Sequence, residues 1–473
     1  MDIDKTLQTF ARFGVRLGLE SIQQLLANLG NPQKQVLIIH VAGSNGKGSV
    51  CAYLSAVLTE AGYRVGRYTS PHLVNWCERI CLNEQPISST ELEQVLQQTI
   101  AAIQPDEPSP TQFEVFTAAA WLYFAQQQVD IAVVEVGLGG RLDATNVCDR
   151  PLVSLITSIS REHWQRLGPT LADIAGEKAG ILKPNCPAVI GQLPPEAKAV
   201  VDRRITDLKC PVVYPEPARD LGDGWAEYSN STTIKYRLPL QGAIQLHNSA
   251  LAIAALLSLQ EQGWQISDEA IARGIAKTQW TGRLQWFNWQ GHRILIDGAH
   301  NPASAEVLRE FVDHQIAGGR WQVAGEGVQG TGSRVQTTQN PKPKTQNSKL
   351  KTQNPPQIPL PTPHSPFPTH WVMGMLSTKD HADVFKVLLR GGDRLYLVPV
   401  PDHSSAEPEE LATLAREICP DLADCRTFPD VITALEAAVA ESLPERKELF
   451  NEPLTVLCGS LYLIGHFFKL VNK

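Results

Sequence analysis

The chain has 473 residues, 43% of them hydrophobic and 19% charged, with a formal charge of −7. That length exceeds one ordinary core and implies two or three domains. The acidic balance argues against a general nucleic-acid or bilayer binder, although a local basic patch still suits an anionic substrate.

Nine cysteines, an odd number scattered along the chain, read as reduced thiols. The closest pair, Cys77 and Cys81, has no second pair at zinc-ligand spacing. The start, MDIDKTLQTF, carries neither a basic n-region nor an apolar h-region. No run approaches the ~18 apolar residues of a membrane span. A cytoplasmic location is expected.

Residues 1–30 place Leu7, Phe10, Phe13, Leu17, Ile22, Leu25, Leu26 and Leu29 at the spacing of short amphipathic helices. Residues 36–41 are almost all apolar and several are β-branched, the pattern of a strand buried on both faces of a parallel sheet. Gly43, Gly46, Lys47, Gly48 and Ser49 follow, then a helical pattern from Val50 to about Ala61. Strand, glycine loop and helix start make a phosphate cradle. Small residues let backbone N–H groups close on an anion, Lys47 adds charge and Ser49 offers a hydroxyl to Mg²⁺. The spacing departs from GxxxxGK[ST], because Val41 stands five before Gly46 and a glycine follows Lys47. A plain glycine turn would require neither the lysine nor the hydroxyl.

A strand over 63–68 leads to the loop Thr69-Ser70-Pro71-His72-Leu73, in which His72 is placed to touch a substrate. By spacing alone it is equally an ordinary surface histidine. Residues 90–103 and 114–127 read as helices, the second apolar enough to be buried. The run 131–136 reads as another buried strand and ends on Glu135 before a glycine-rich tail. An acid at that edge is where Mg²⁺ of a bound nucleotide needs an oxygen ligand; a salt-bridged core acid is the competing account. A strand over 152–157 is followed by Glu162 and His163, on the same edge as Ser49 and Glu135. The helical pattern 170–183 holds Glu177 and Lys178. Lys178 is either a solvated charge or, if held near the phosphates and partly desolvated, a nucleophile or electrostatic catalyst.

Residues 187–240 read as shorter strands and prolines, and 245–261 as an apolar core helix. The polar, glycine-marked stretch 281–293 is the expected domain boundary. Beyond it a strand at 294–296 runs into DGAHNP, 297–302. Strands at 371–374, 394–399 and 454–458 then alternate with helices at 380–390, 407–418 and 431–441, a smaller α/β unit. Residues 325–369 repeat Thr-Gln-Asn three times amid crowded prolines. Such a composition reads as a disordered surface insertion, or alternatively a proline-rich docking peptide. The residue pattern alone reaches nucleotide use by a two-domain α/β enzyme, with Lys47, Ser49, Glu135 and His163 converging on one sheet edge.

The segments HVAGSNGKGS (40–49), TSPHL (69–73), ERI (78–80), TQFE (111–114), EVGLGGRLDATN (135–146), LADIAGEKAGILK (171–183), DGAHNP (297–302) and GSLYLIG (459–465) resemble folylpolyglutamate synthase and its bifunctional dihydrofolate synthase form, within the Mur-ligase group. The resemblance implies a P-loop-containing, mainly parallel sheet domain, 1–285, and a smaller Rossmann-like α/β domain, 290–473, enclosing ATP between them. It implies an ATP-dependent ligase in which phosphorylation of a pterin or folate carboxylate gives an acyl phosphate that the amine of L-glutamate attacks. The expected acceptor is dihydropteroate, a reduced folate or both, and the expected state a monomer.

By the same resemblance, the loop Gly43, Ser44, Asn45, Gly46, Lys47 and Gly48 holds the phosphates, and Ser49, Glu135 and His163 ligate Mg²⁺. Lys178 matches a lysine carbamylated by CO₂. Asn248, Arg283, Asp297 and His300 are expected on ATP. Thr111, Phe113 and Asp143, with Ser70, Pro71 and His72, are expected on the pterin substrate. Three positions depart from the family pattern: Glu162 stands where Asp is usual, Thr281 where Pro is, and Ile244 where His is. Two rivals remain. A Mur ligase of a cell-wall precursor needs a UDP-binding domain, and 42 residues ahead of Gly43 leave no room for one. A non-catalytic ATP-binding regulator would use the insertion as its partner site.

Overall fold

The computed structural model describes residues 3–11, 18–230, 232–317, 368–441 and 453–471. All but the last two residues of the expected insertion 325–369 lie outside these, as do Phe13 and Leu17.

Two sheets organise the chain. The first has strands β1 (Ile38–Ala42), β2 (Val65–Tyr68), β3 (Ile80–Leu82), β4 (Gln85–Pro86), β5 (Ile131–Glu135), β6 (Val153–Ile156), β7 (Ala188–Ile190) and β8 (Val212–Val213). Its order is β4-β3-β2-β5-β1-β6-β7-β8. From β2 to β8 neighbours run parallel, while β3 and β4 add an antiparallel edge. β1 lies between β5 and β6, and all five of its residues are buried. Its alternation explains the two layers: Ile39 and Val41 pack with the helices Lys47–Glu60, Ile244–Glu261 and Asp268–Lys277, while Ile38 packs with Glu20–Asn28, Ser89–Ala101 and Gln112–Gln126. Against the first layer lies a small antiparallel sheet of β9 (Arg219–Gly222), β10 (Trp225–Ser229) and β11 (Thr233–Arg237).

The second sheet has β12 (Gln285–Trp289), β13 (His292–Ile296), β14 (Thr369–Met373), β15 (Arg394–Leu397), β16 (Asp424–Thr427) and β17 (Leu454–Cys458), in the order β12-β13-β17-β14-β15-β16. Only the β12–β13 hairpin is antiparallel. Helices Pro302–Ile316, His381–Leu388 and Pro408–Ile418 cover one face, Val431–Ala440 and Leu461–Val471 the other.

Several expectations change. The cradle helix begins at Lys47, three residues early, because Gly46 takes a left-handed φ of 86° that starts the turn. The helix expected over 170–183 stops at Ala179. The stretch 187–240 contains a full helix, Pro195–Leu208, whose proline at the start is a helix-opening signal that its polar composition masks. The stretch 281–293 contains β12, and Gln290 and Gly291, both at positive φ, turn it into β13. All nine cysteines are free thiols. Among the described residues no helix is long and apolar enough to cross a membrane.

Candidate active site

The loop after β1 is clamped to the end of β6. Ser44 N donates to Ser158 O (2.8 Å), Asn45 N to Ser158 Oγ (3.0 Å), and Thr157 Oγ1 to Asn45 O (2.6 Å). The amides of Ser44 and Asn45 are thereby spent on the protein. Those of Lys47, Gly48 and Ser49, in the first helical turn, lack helical acceptors and remain for an anion. Gly43 (φ 150°) and Gly46 (φ 86°) make the bend possible. A Cβ on Gly43 would collide with Thr157 Oγ1, and one on Gly46 would lie 2.5 Å from Asn248 Oδ1, which puts Asn248 beside the cradle. Lys47 Nζ folds back on Gly43 O (2.9 Å) and Ser44 O (3.0 Å), leaving its third proton available.

Lys178 reaches beneath this loop. Its side chain is 2% exposed, and Nζ donates to Glu162 Oε1 and Gly43 O, both at 2.8 Å. Burial works against charge on both partners, yet the ammonium holds the Glu162 carboxyl well below the usual range. Glu135 is buried at the end of β5, opposite Val41 in register, and among the described residues its side chain accepts only from Ser70 N, at 3.3 Å. Burial pushes its carboxyl up, against the pull of Lys47 and Arg283. His163, the residue before the short helix Trp164–Leu167, sits at φ 47°. The enclosing wall, then the Lys379 ammonium, holds its imidazole down at about 4.

The second sheet supplies the facing wall. Asp297 accepts from Ala299 N and Leu284 N, both at 2.8 Å, and so braces the loop beyond β13. His300 Nδ1 bonds Gly298 O (2.7 Å), and burial pushes this imidazole down to about 3. Arg283 lies against Gly298. Asn45 and Asn301 exchange amide hydrogen bonds (3.1 and 3.4 Å), and Trp164 Nε1 donates to Asp380 Oδ1 (3.0 Å), joining the two walls.

Between the walls is a cavity of about 670 Å³. Ser70, Pro71, Thr111, Phe113, Asp143 and His163 line it from the first unit, and His300, Lys379 and Tyr462 from the second. Thr111 also caps the helix Gln112–Gln126 through Glu114, and Asp143 accepts from Leu138 N (2.8 Å) and Thr145 Oγ1 (2.6 Å). His72 does not line the cavity. Its Nδ1 accepts from Arg79 Nε (2.9 Å), and it is Arg79 that faces the space.

Residues 362–470 match the family model described as dihydrofolate synthetase, C-terminal domain. A dihydrofolate synthase/folylpolyglutamate synthase of Bacillus subtilis is 40% identical over 331 residues, 66% of this chain and 76% of the relative. The chain belongs to this family. The Escherichia coli FolC structure in complex with DHPP and ADP has a TM-score of 0.76 at 27% identity, covering 99% of this chain and 97% of that one. A bifunctional folylpolyglutamate synthase/dihydrofolate synthase with Mn, AMPPNP and L-glutamate bound also gives 0.76 at 27% identity, over 100% and 98%. As a folylpolyglutamate/dihydrofolate synthase-type protein, the chain is an ATP-dependent ligase with the Mur-ligase fold.

Family membership sharpens the test for a divalent ion. Among the described residues no group of three or more His, Cys, Asp and Glu side chains is arranged to hold a metal. The donor set fits Mg²⁺ in its usual mode, one or two protein oxygens completed by phosphate and water. Glu135 is a buried carboxylate with one hydrogen bond, and Ser49 is a buried hydroxyl. Reading the residues alone passed over Arg79, Lys379 and Tyr462. Arg79 lies within the ERI segment, but nothing in a three-residue signal says that the turn before β3 will aim it inward. Lys379 is a single cation in a loop after β14, a signal of the weakest kind.

Proposed function

We propose that the chain joins L-glutamate to the carboxylate of a pterin or folate, with ATP driving the step through an acyl phosphate. The observation that carries this is the cavity: Phe113, Asp143 and Arg79 from the first unit face Lys379 from the second, whose ammonium feels the charge of Lys47 in the phosphate cradle. On this reading residues 1–285 bind ATP and the acceptor, and 290–473 bring the glutamate.

Lys47 and the first-turn amides hold the β- and γ-phosphates, with Asn248, Arg283, Asp297 and His300 around the nucleotide. Mg²⁺, held by Ser49, Glu135 and His163, would supply Lewis acidity against the charge of the transferring phosphoryl group. Thr111, Phe113 and Asp143 orient the pterin, with Ser70 and Pro71 at its edge. The acceptor carboxylate attacks the γ-phosphorus and ADP leaves. The glutamate amine then displaces phosphate from the acyl carbon, with Lys47 and Lys379 nearby to offset the developing negative charge. His300, held neutral with Nδ1 on Gly298 O, keeps Nε2 to accept a hydrogen bond from the incoming ammonium.

The reading extends to carbamylation of Lys178. Burial favours its neutral amine, the form that adds CO₂, although the present hydrogen bonds to Glu162 and Gly43 are those of a donor. Activity lost in Lys178→Ala should partly return with added short carboxylic acids; an undiminished variant would refute the carbamate role. The main test is to incubate the protein with ATP, Mg²⁺ and glutamate plus dihydropteroate or tetrahydrofolate, and to weigh the products. One added glutamyl unit on either acceptor is expected. Nucleotide binding with no mass gain on both acceptors would instead favour the regulatory reading.

A further inference from the structure

The ERI segment has no part in the mechanism above, yet it places a buried cation that has no ion pair among the described residues. Arg79 is 9% exposed, and it faces the cavity from the first wall. It ends the turn Trp76–Arg79 and precedes β3, where Ile80 pairs with Tyr68 of β2. Its own carbonyl accepts from Thr69 N (3.0 Å), so its backbone is tied to the sheet. The guanidinium lies over the Trp76 ring (4.4 Å) and near Phe116 (5.7 Å), and Nε donates to His72 Nδ1 (2.9 Å). Among the described residues, the two terminal nitrogens have no hydrogen bond, and no carboxylate lies within ion-pair distance. The adjacent acid cannot serve. Glu78 spends its two oxygens on the N–H groups of Leu73 (2.7 Å), Val74 (2.9 Å) and Asn75 (2.8 Å).

A buried guanidinium without an anion is costly, and one whose ring contacts and Nε bond fix its plane presents a ready fork to a carboxylate. We propose that Arg79 binds the spectator α-carboxylate of a glutamyl-terminated pteridine acceptor, so that the site is built to extend an existing glutamate chain. The inference rests on the reading above that the acceptor is a pteridine carboxylate. It goes further in assigning the fork to a carboxylate that takes no part in the chemistry. A two-pronged grip would occupy the lone pairs that must attack phosphorus, so the reacting γ-carboxylate is the poorer occupant. Dihydropteroate, whose one carboxylate is consumed, leaves the fork without an anion.

The test compares wild type with Arg79→Met and Arg79→Lys on three acceptors: dihydropteroate, tetrahydrofolate monoglutamate, and the tetrahydropteroyl 4-aminobutyrate analogue, which keeps the reacting carboxylate and lacks the α-carboxylate. In Arg79→Met the KM for tetrahydrofolate should rise about 10- to 100-fold, the value of a charge-assisted bidentate contact. The KM for dihydropteroate should stay within about threefold. The wild type should disfavour the aminobutyrate analogue by a similar factor, and Arg79→Met should no longer discriminate. Arg79→Lys, which keeps charge and loses the fork, should fall between, and it carries the same comparison if Arg79→Met does not fold, as judged by loss of an ADP-induced thermal shift. Equal KM increases for dihydropteroate and tetrahydrofolate, or a wild type indifferent to the missing α-carboxylate, would overturn the assignment of Arg79 alone. Ligation of neither pteridine by the wild type would overturn the functional reading and this inference with it.

Discussion

Replacing Lys178 by methionine keeps most of the side-chain volume and removes the charge from a pair that is 2% and 9% exposed. Glu162 is then left as a buried carboxylate without its cation, and Gly43 O loses a donor. Breaking one side of such a pair costs about 3–5 kcal/mol, most of it the stranded partner's desolvation. With the lysine unmodified, Glu162→Gln strands the ammonium and should cost a comparable amount. The double variant Lys178→Met/Glu162→Gln strands neither charge, so its loss should be smaller than the sum of the two by at least about 2 kcal/mol. Scanning calorimetry on the wild type and three variants gives the cycle. Losses that add to within about 0.5 kcal/mol would refute the view that the pair is held as ions in a dry pocket. The cycle also reads the state of the lysine. A carbamate would put two anions side by side, and Glu162→Gln would then stabilise the protein.

Lys47→Ala and Glu135→Ala should each lower the ligation rate by about a hundredfold or more while leaving the fold intact, checked by product mass and circular dichroism; near-normal turnover in either would remove that residue from the site. Gly43→Ala should cripple ADP binding in a calorimetric titration, because the new methyl group and the Thr157 hydroxyl cannot share the space below the cradle. His40, buried in β1, donates from Nε2 to Thr145 Oγ1 (2.9 Å), and burial, aided by Lys183, pushes its imidazole down to about 3. Below about pH 6.5 the unfolded chain binds a proton there that the folded chain refuses, so this group makes stability fall as pH drops. Its share is about 2 kcal/mol at pH 5 relative to pH 7. His40→Gln should flatten urea-unfolding stability over that range, and an unchanged slope would count against the assignment.

The cradle, the buried strands and the alternation of the second unit were legible because each depends on a local pattern. β1 is buried throughout and apolar but for His40, and Gly46-Lys47-Gly48-Ser49 can hardly do otherwise than turn and start a helix. Counting along the apolar run also puts Glu135 at the end of its strand, where β5 ends. What sequence could not convey was direction. Ser44 and Asn45 sit in the cradle, yet their amides face Ser158, because β6 runs alongside and takes them. His72 reads as a substrate contact, but the chain curls back through Glu78, and it is Arg79 and not His72 that lines the cavity. The helix Pro195–Leu208 hides because its exposed face is polar and only Ala197, Val201 and Ile205 are buried.

The two walls of the cavity meet at the cradle through Asn45 and Asn301, a pair of neutral amides. Mobile ions do not screen a neutral pair as they screen separated surface charges. Raising ionic strength should therefore weaken the capture of a charged nucleotide from solution while leaving this contact at full strength. Potassium chloride should separate three links between and around the walls: it weakens nucleotide capture and the exposed Arg161–Asp383 pair (4.0 Å), and it spares the Asn45–Asn301 contact.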